Sequence, residues 1–420
     1  MSLIFSPFPH HLHSFTPFDS LEAHVLRSDE SALARDCAGE TKQLLTQLSK
    51  LDKWKRAERK QIQIELRQLK REERKRSELA ISRVLDRAHV VCATLTGVQQ
   101  RALRDAEFDV CIIDEAAQAL EVACWAAVLK ARKVVLVGDH LQLPPTVMAP
   151  AAAEGGLGVT MFERLHALYG DTIAEMLTTQ YRMHASIMQW SSDVLYDGRL
   201  IAHASVADHT LYDLGVAVDD AIDAAAAGGG GGGVGNPSSP PPCPSSGHAS
   251  SSSLSVPPVL VFVDTAGCDM AERQDEAGSS YNEAEAALVM KLVGRLVARG
   301  LAPGLIGVIA PYAAQVAALK AQRREGEAWA ALEISTVDGF QGREKEAIVI
   351  STVRSNTGQG VGFLADKRRM NVAVTRAKRQ CVLVGDSETL RRDPFLEGLV
   401  AYFESRADYH SADEFADLDL

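Results

Sequence analysis

Apolar positions along this chain change their period once, at about residue 88. From about Ser20 to Leu85 they recur at helical spacing. Leu44, Leu45, Leu48 and Leu51 form one stripe, and Ile62, Leu66 and Leu69 continue a similar spacing through a second, highly charged stretch. Neither proline nor glycine falls between Glu40 and Gly97, so the pattern predicts two long helices joined near Lys53, a helical hairpin or stalk. Beyond it come short, near-continuous apolar runs: His89–Ala93, Val110–Ile113, Lys133–Val137, Val259–Val263, Leu305–Ala310, Ala347–Ser351 and Gln380–Val384. Helical stretches such as Ala116–Leu129 and Asn282–Ala298 lie between them. Runs rich in β-branched residues suit strands buried on both faces, and their alternation with helices predicts a parallel α/β architecture.

One stretch breaks the alternation. Ala224 to Pro258 carries a run of Ala, six consecutive Gly, a Pro run and Ser250–Ser253. It has too little apolar surface to offset the entropy of ordering it, and it reads as a flexible insertion at 218–257 within a domain. The chain thus divides into an unassigned N-terminus (1–19), a helical stalk (20–86), a first α/β lobe (87–175), a second lobe (176–400) carrying the insertion, and an acidic tail (401–420) that reads as solvated.

Composition narrows the class. With 420 residues, 46% apolar and 24% charged, the chain is of globular type and long enough for two or three domains. It holds no apolar run of membrane-spanning length, and Met1–Phe15 is a poor secretory signal. The seven cysteines are scattered without a C-x-x-C pair, which disfavours a zinc site or a disulfide framework and suits a reducing compartment. A net charge of −11 argues against nucleic acid, but the charge is uneven: 50–76 has twelve Lys/Arg against five Asp/Glu, so it is +7 and the remainder −18. A solvated helix face explains that basic stretch as readily as a nucleic-acid contact does.

Candidate chemistry sits at the ends of the apolar runs. Val110–Ile113 ends in Asp114-Glu115, where the first carboxylate can hold Mg²⁺ and the second can orient or deprotonate a water. Lys133–Val137 ends in Gly138-Asp139-His140-Leu141-Gln142-Leu143-Pro144-Pro145; Gln142 there can hold a water or a γ-phosphate near the carboxyl end of a neighbouring strand. In Gln180-Tyr181-Arg182-Met183-His184, Arg182 suits a phosphate fork and Tyr181 offers a flat face to a base. The glycines of 336–346, Gly339 and Gly342, let backbone amides approach a ligand. Small residues in 371–378 allow close helix packing, with Arg376 expected to project outward.

Taken in order, DEAAQA (114–119), GDHLQLPP (138–145), QYRMH (180–184), APY (310–312), VDGFQGREKEAIVIS (337–351) and NVAVTRAK (371–378) resemble motifs II to VI of superfamily 1B helicases of the nonsense-decay-helicase-like group. Val91–Gly97, Leu129–Lys133, Val263–Cys268 and Val361–Leu364 extend the resemblance over roughly residues 20–405. It implies two RecA-like P-loop NTPase lobes on a helical stalk, an ATP-dependent 5′-to-3′ DNA/RNA helicase, ATP and Mg²⁺ as cofactors, and single-stranded DNA or RNA as partner. A monomer in the cytoplasm, the nucleus or both is expected, with no membrane attachment. By the same resemblance Asp114 binds Mg²⁺ and Glu115 activates the water. Gln142 senses the γ-phosphate, Arg182 and Arg376 act as arginine fingers, Tyr181 stacks on adenine, and Gly342 and Glu344 contact the nucleotide. Strand contacts fall to Thr94, Thr96 and Gly97 in the first lobe and to Pro311, Tyr312, Thr336, Arg354 and Asn356 in the second.

The sequence departs from the family at one place. It holds no G-x-x-x-x-G-K-[ST] run, the loop whose amides, lysine and hydroxyl hold a triphosphate and its metal. Gly39-Glu40-Thr41-Lys42 lacks the upstream glycine. The first lobe is therefore expected to be incomplete and poorly stable by itself, and the chain to be a fragment of an active helicase. The competing expectation is a non-hydrolysing pseudo-helicase that binds nucleic acid or protein.

Overall fold

The computed structural model describes residues 4–6, 20–217, 258–358 and 360–416. The insertion expected at 218–257 lies outside the described residues, as does most of 1–19. The chain forms two compact units, residues 1–139 with 144–169 and residues 140–143 with 170–420.

In the first unit the expected hairpin is present. A short helix α1 (Leu21–Leu26) precedes α2 (Asp29–Lys50) and α3 (Arg56–Asp86). Ser20 and Ser28 cap α1 and α2 by accepting the amides of Ala23 and Ser31. At the other end of α2 the Leu51 amide donates back to Gln47 O at 3.1 Å, and the Arg59 guanidinium donates to the carbonyls of Leu48 (3.1 Å) and Leu51 (2.8 Å). The α/β part contributes β1 (Phe108–Ile113), α4 (Glu121–Val128), β2 (Ala131–Leu136) and α5 (Met161–Tyr169). β1 and β2 pair in parallel, Val110 opposite Lys133 and Ile113 opposite Leu136. A small core of Ile113, Ala116, Cys124, Ala127 and Met161 lies beneath them, and Arg164 clamps α5 to α4 through Glu121 at 2.7 and 2.8 Å.

These two strands do not have the two-sided burial expected from their β-branched runs. Val110 and Ile112 are 47% and 67% exposed, and Val134 and Val135 are exposed as well. Among the described residues, that small core and a second one of Leu21 and Leu103 packed on Phe108 are what cover this sheet, and several of its apolar side chains remain in water.

The second unit has both of its faces covered. After α6 (Ala185–Leu195) come β3 (Leu260–Asp264), α7 (Glu283–Ala298), β4 (Ile306–Ala310), α8 (Ala313–Ala321), β5 (Glu333–Thr336), β6 (Lys345–Ser351), α9 (Lys367–Val374), β7 (Ala377–Gly385), α10 (Pro394–Arg406) and β8 (Asp408–Ser411). Six strands form one all-parallel sheet in the order β5-β4-β6-β7-β3-β8. The period-2 pleat divides its side chains between two cores. Ile348, Ile350, Cys381 and Leu383 join Trp190, Phe262, Phe340 and Phe403 in one. Ala347, Val349, Val382 and Val384 join Val261, Val289, Val293 and Val308 in the other.

Two strands of this sheet escaped the sequence reading. β5 is four residues long and mixed in polarity, and β8 lies in the segment read as a solvated acidic tail. That reading is corrected by the pairing of Asp408–Ser411 with β3 and by the burial of Phe403, Ala412 and Phe415. The acids mark the outer side of an edge strand, and the apolar residues between and beyond them reach the core. No helix of the described residues is long and apolar enough to cross a membrane.

The exposed ladder of the first unit has a consequence for stability. Amide exchange in Phe108–Ile113 is expected to be much faster than in Lys345–Ser351, whose residues are buried and paired on both sides. Hydrogen-exchange mass spectrometry measures both segments in one experiment, and equal protection would contradict the assignment.

Candidate nucleotide and nucleic-acid sites

In the first unit, β1 delivers Asp114 and Glu115 to its carboxyl end. Asp114 Oδ1 accepts the Glu115 amide at 3.0 Å, and Glu115 stands in the left-handed region at φ 53°. A non-glycine residue there is strained, and such strain collects at functional turns. The turn is held from two sides: the Ala116 amide donates to Val137 O at 2.7 Å, and Gln118 Nε2 donates to the Glu115 carboxylate at 2.6 Å. Gly138 packs so tightly against it that an added Cβ would stand 2.8 Å from the Ala117 nitrogen. Both carboxylates are solvent-facing, an oxygen-only donor set of the kind Mg²⁺ takes. Thr94 Oγ1 accepts the Gly97 amide at 3.1 Å, with Thr94 and Thr96 exposed and Gly97 buried.

The second unit gathers the remaining nucleotide candidates. Tyr181 is 66% exposed, its ring tilted against His203 at 4.5 Å. Arg182 pairs with Glu344, which also meets Lys378 at 3.0 Å. Burial pushes the Glu344 carboxyl up, but Lys378 and Arg182 outweigh it and hold the group below its ordinary value. Gly342, at φ 73°, supplies the left-handed turn just before Glu344.

Arg376 does not project outward. It is 3% exposed, and its guanidinium donates to Gln142 Oε1 (3.2 Å), Val372 O (3.1 Å) and Thr375 Oγ1 (3.2 Å). The small residues around it, Ala373 and Ala377, let the backbone close over the side chain, so its charge is turned inward onto Gln142. Asn371 secures the same segment by donating to Leu141 O at 3.0 Å. Gln142 and Arg376, 234 residues apart in sequence, are thus brought together.

The strand-contact candidates of this unit form a second cluster. Tyr312 and Arg354 are buried; the Tyr312 hydroxyl accepts from Arg354 Nη1 at 3.1 Å and from the Phe363 amide at 3.2 Å. One oxygen of Glu272 gathers Arg354 Nε (2.8 Å), the Ser355 amide (2.9 Å) and Asn356 Nδ2 (3.0 Å). Arg354 and Asn356 are therefore already engaged by an acid that the sequence reading missed, since Glu272 lies in an irregular segment without a motif. Thr336 is half-buried and accepts the Gly339 amide at 3.2 Å, and Pro311 is half-buried beside Tyr312.

A second missed acid is Glu285. It is fully buried on α7 and accepts from Ser351 Oγ at 2.6 Å and from the Val353 amide at 2.9 Å. Val353 carries a β-branched side chain at φ 72°, so Glu285 pins a strained turn directly before Arg354. The only sequence signal was its place one turn after Asn282, whose side chain caps α7.

Two AAA-domain family profiles match this chain, over residues 13–150 and 157–388. The chain therefore belongs to the AAA-domain family. Within it, the sequence groups with the superfamily 1 helicases of the nonsense-decay-helicase group. It is 39% identical over 403 residues to "DNA-binding protein SMUBP-2" of Rattus norvegicus, covering 95% of this chain and 37% of that protein. It is 34% identical over 421 residues to "DNA polymerase alpha-associated DNA helicase A" of Saccharomyces cerevisiae, covering 94% and 57%. It is 33% identical over 334 residues to "Regulator of nonsense transcripts 1" of Dictyostelium discoideum, covering 77% and 22%. The chain thus spans between about a fifth and three fifths of the length of these relatives.

Burial pushes the Glu285 carboxyl up to about 7, against the lowering effect of the bonds from Ser351 and Val353; the Asp386 charge adds to the rise. The folded chain therefore holds a proton that the unfolded chain releases above about pH 4.3. Stability is lost as pH rises through that window, up to about 3 kcal/mol. Glu285→Gln keeps an acceptor for both donors and removes the charge. Its melting-temperature advantage over wild type is expected to grow from about pH 5 to about pH 8, and thermal unfolding at the two pH values would show a constant difference if Glu285 were ionised throughout.

Proposed function

We propose that this chain carries much of the motor of an ATP-dependent, 5′-to-3′ DNA/RNA helicase that tracks along single strands. The observation that carries the reading is the Arg376–Gln142 bond, with Arg182 and Tyr181 in the same unit. It ties an arginine suited to a phosphate, in the turn that leads into β7, to a glutamine suited to a γ-phosphate or its attacking water. The turn at Asp114-Glu115 supports it with the oxygen donors that Mg²⁺ takes, and two of the relatives named above are called a DNA-binding protein and a DNA helicase.

In this proposal Asp114 would hold Mg²⁺, Glu115 would take a proton from water, and Gln142 would sense the γ-phosphate. Arg182 and Arg376 stabilise charge on the γ-phosphate. Tyr181 stacks on adenine, and Gly342 and Glu344 lie along the nucleotide. Thr94, Thr96, Gly97, Pro311, Tyr312, Thr336, Arg354 and Asn356 line the path of the strand, with mainly phosphate and sugar contacts and little sequence preference. For Arg354 and Asn356 that role requires the Glu272 carboxylate to share or yield its donors. The residues fit Mg²⁺ and the γ-phosphate. Within 1–420, however, no lysine loop is present to cradle the β-phosphate, so the proposal assigns that task to no residue here. The protein is proposed to act in the cytoplasm, the nucleus or both.

The purified chain is expected to bind single-stranded DNA or RNA and to lack strand-stimulated ATP hydrolysis. A longer product with an in-frame P-loop upstream is expected to hydrolyse ATP, and Arg376→Ala in it to lower turnover by about 10³- to 10⁵-fold. Steady-state ATPase assays with and without strand decide it. Hydrolysis by residues 1–420 alone would overturn the expectation that turnover needs the lysine loop. Strand binding with no hydrolysis in any longer product would favour the pseudo-helicase that the missing loop also suits.

A further inference from the structure

The link between α2 and α3 holds a feature that the helicase reading leaves unused. Trp54 is 87% exposed at the tip of the helical hairpin, the most exposed aromatic among the described residues. Among the described residues no ring or cation contacts it. Tryptophan presents a large apolar face, and a helical hairpin needs no such residue to turn: Arg59 already closes the end of α2, and the turn is made by the Lys55 amide on Asp52 O.

The charge around Trp54 is of one sign. Residues 50–60 hold six Lys/Arg and two Asp/Glu in a chain whose total is −11. Glu58 is occupied by Lys55 at 3.1 Å, and Arg59 by backbone carbonyls. Lys50, Lys53, Arg56 and Lys60 are exposed, and their charged ends meet no partner among the described residues. An upturned aromatic face amid uncommitted cations is the combination that binds single-stranded nucleic acid: the base stacks, and the cations follow the phosphates. An anionic bilayer also attracts Trp and Lys, but a membrane-seated element needs a broad apolar face. Here the residues beside Trp54, from Asp52 to Glu58, are exposed and almost all polar.

We propose that the hairpin tip is a second single-strand contact, in which Trp54 stacks on a base while Lys53 and Arg56 meet the adjoining phosphates. It rests on the reading that the chain binds single strands, and it adds a holding point on the first unit that none of the helicase motifs supplies.

The test uses the whole chain and two fluorescein-labelled probes, an oligothymidylate and the same backbone with abasic sites, followed by anisotropy. Trp54→Ala is expected to weaken binding to oligothymidylate about tenfold and to leave the abasic probe unchanged, while Trp54→Phe retains most of the affinity. The double variant Lys53→Gln, Arg56→Gln is expected to flatten the slope of log affinity against log salt by about 1.4 on both probes. Circular dichroism checks that each variant folds. Wild type binding the probes with Trp54→Ala indistinguishable from it would overturn this proposal alone. Wild type binding neither probe would overturn the single-strand reading together with it. Vesicles of phosphatidylserine and phosphatidylcholine are expected not to bind; Trp54-dependent vesicle binding without an effect on the strand would replace the proposal with a membrane contact.

Discussion

A parallel sheet is stable only when both of its faces are dry, and that constraint organises the second unit. Ile348 and Ile350 point to one core and Ala347 and Val349 to the other, so β6 is committed on both sides. Helices must then cover each face, and the chain can change direction only at the strand ends. The candidate residues stand in those connections because nowhere else is the backbone free of the ladder. Where the same constraint is met less fully, in the two-stranded ladder of the first unit, valines and isoleucines stand in water and the candidate acids rest on a small core.

Acids govern the basic groups of the second unit. Glu344 holds Arg182 and Lys378, Glu346 holds Arg379 and Lys378, and Glu272 holds Arg354 and Asn356. Arg354 and Glu272 are both largely removed from solvent, so breaking that pair without a replacement anion is costly. A phosphate is such a replacement. A strand or nucleotide arriving at these arginines therefore competes with a carboxylate rather than filling an empty place, which favours a multiply charged ligand over a simple anion. Glu285 differs, because its nearest groups are neutral donors and burial pushes its carboxyl up toward neutral pH.

Much of this was legible in the chain itself. All seven apolar runs contain strands, because a run of β-branched residues between polar loops has few other uses in a folded chain. Asp114, Glu115, Gln142, Tyr181, Arg182 and Glu344 stand out in the sequence as candidates by their place at run ends and in ordered motifs. β5 and β8 were not, since short strands of mixed polarity at or near a sheet edge have no period of their own; their pairing partners define them. Glu272 escaped because an acid in an irregular segment looks like any solvated acid until the arginine it meets, 82 residues on, is known.

The sequence by itself determined the α/β class, the helical hairpin, the ordered motifs and the absence of a lysine loop from these 420 residues, all matters of residue type at short spacing. Tertiary structure alone decided that Arg376 turns inward to Gln142, that Glu272 and Glu285 control the segment 351–356, and that the acidic C-terminal segment is an edge strand. Each of these depends on partners far apart in sequence. Burial and hydrogen bonding act through space, and a local pattern carries no record of which distant residue will be met.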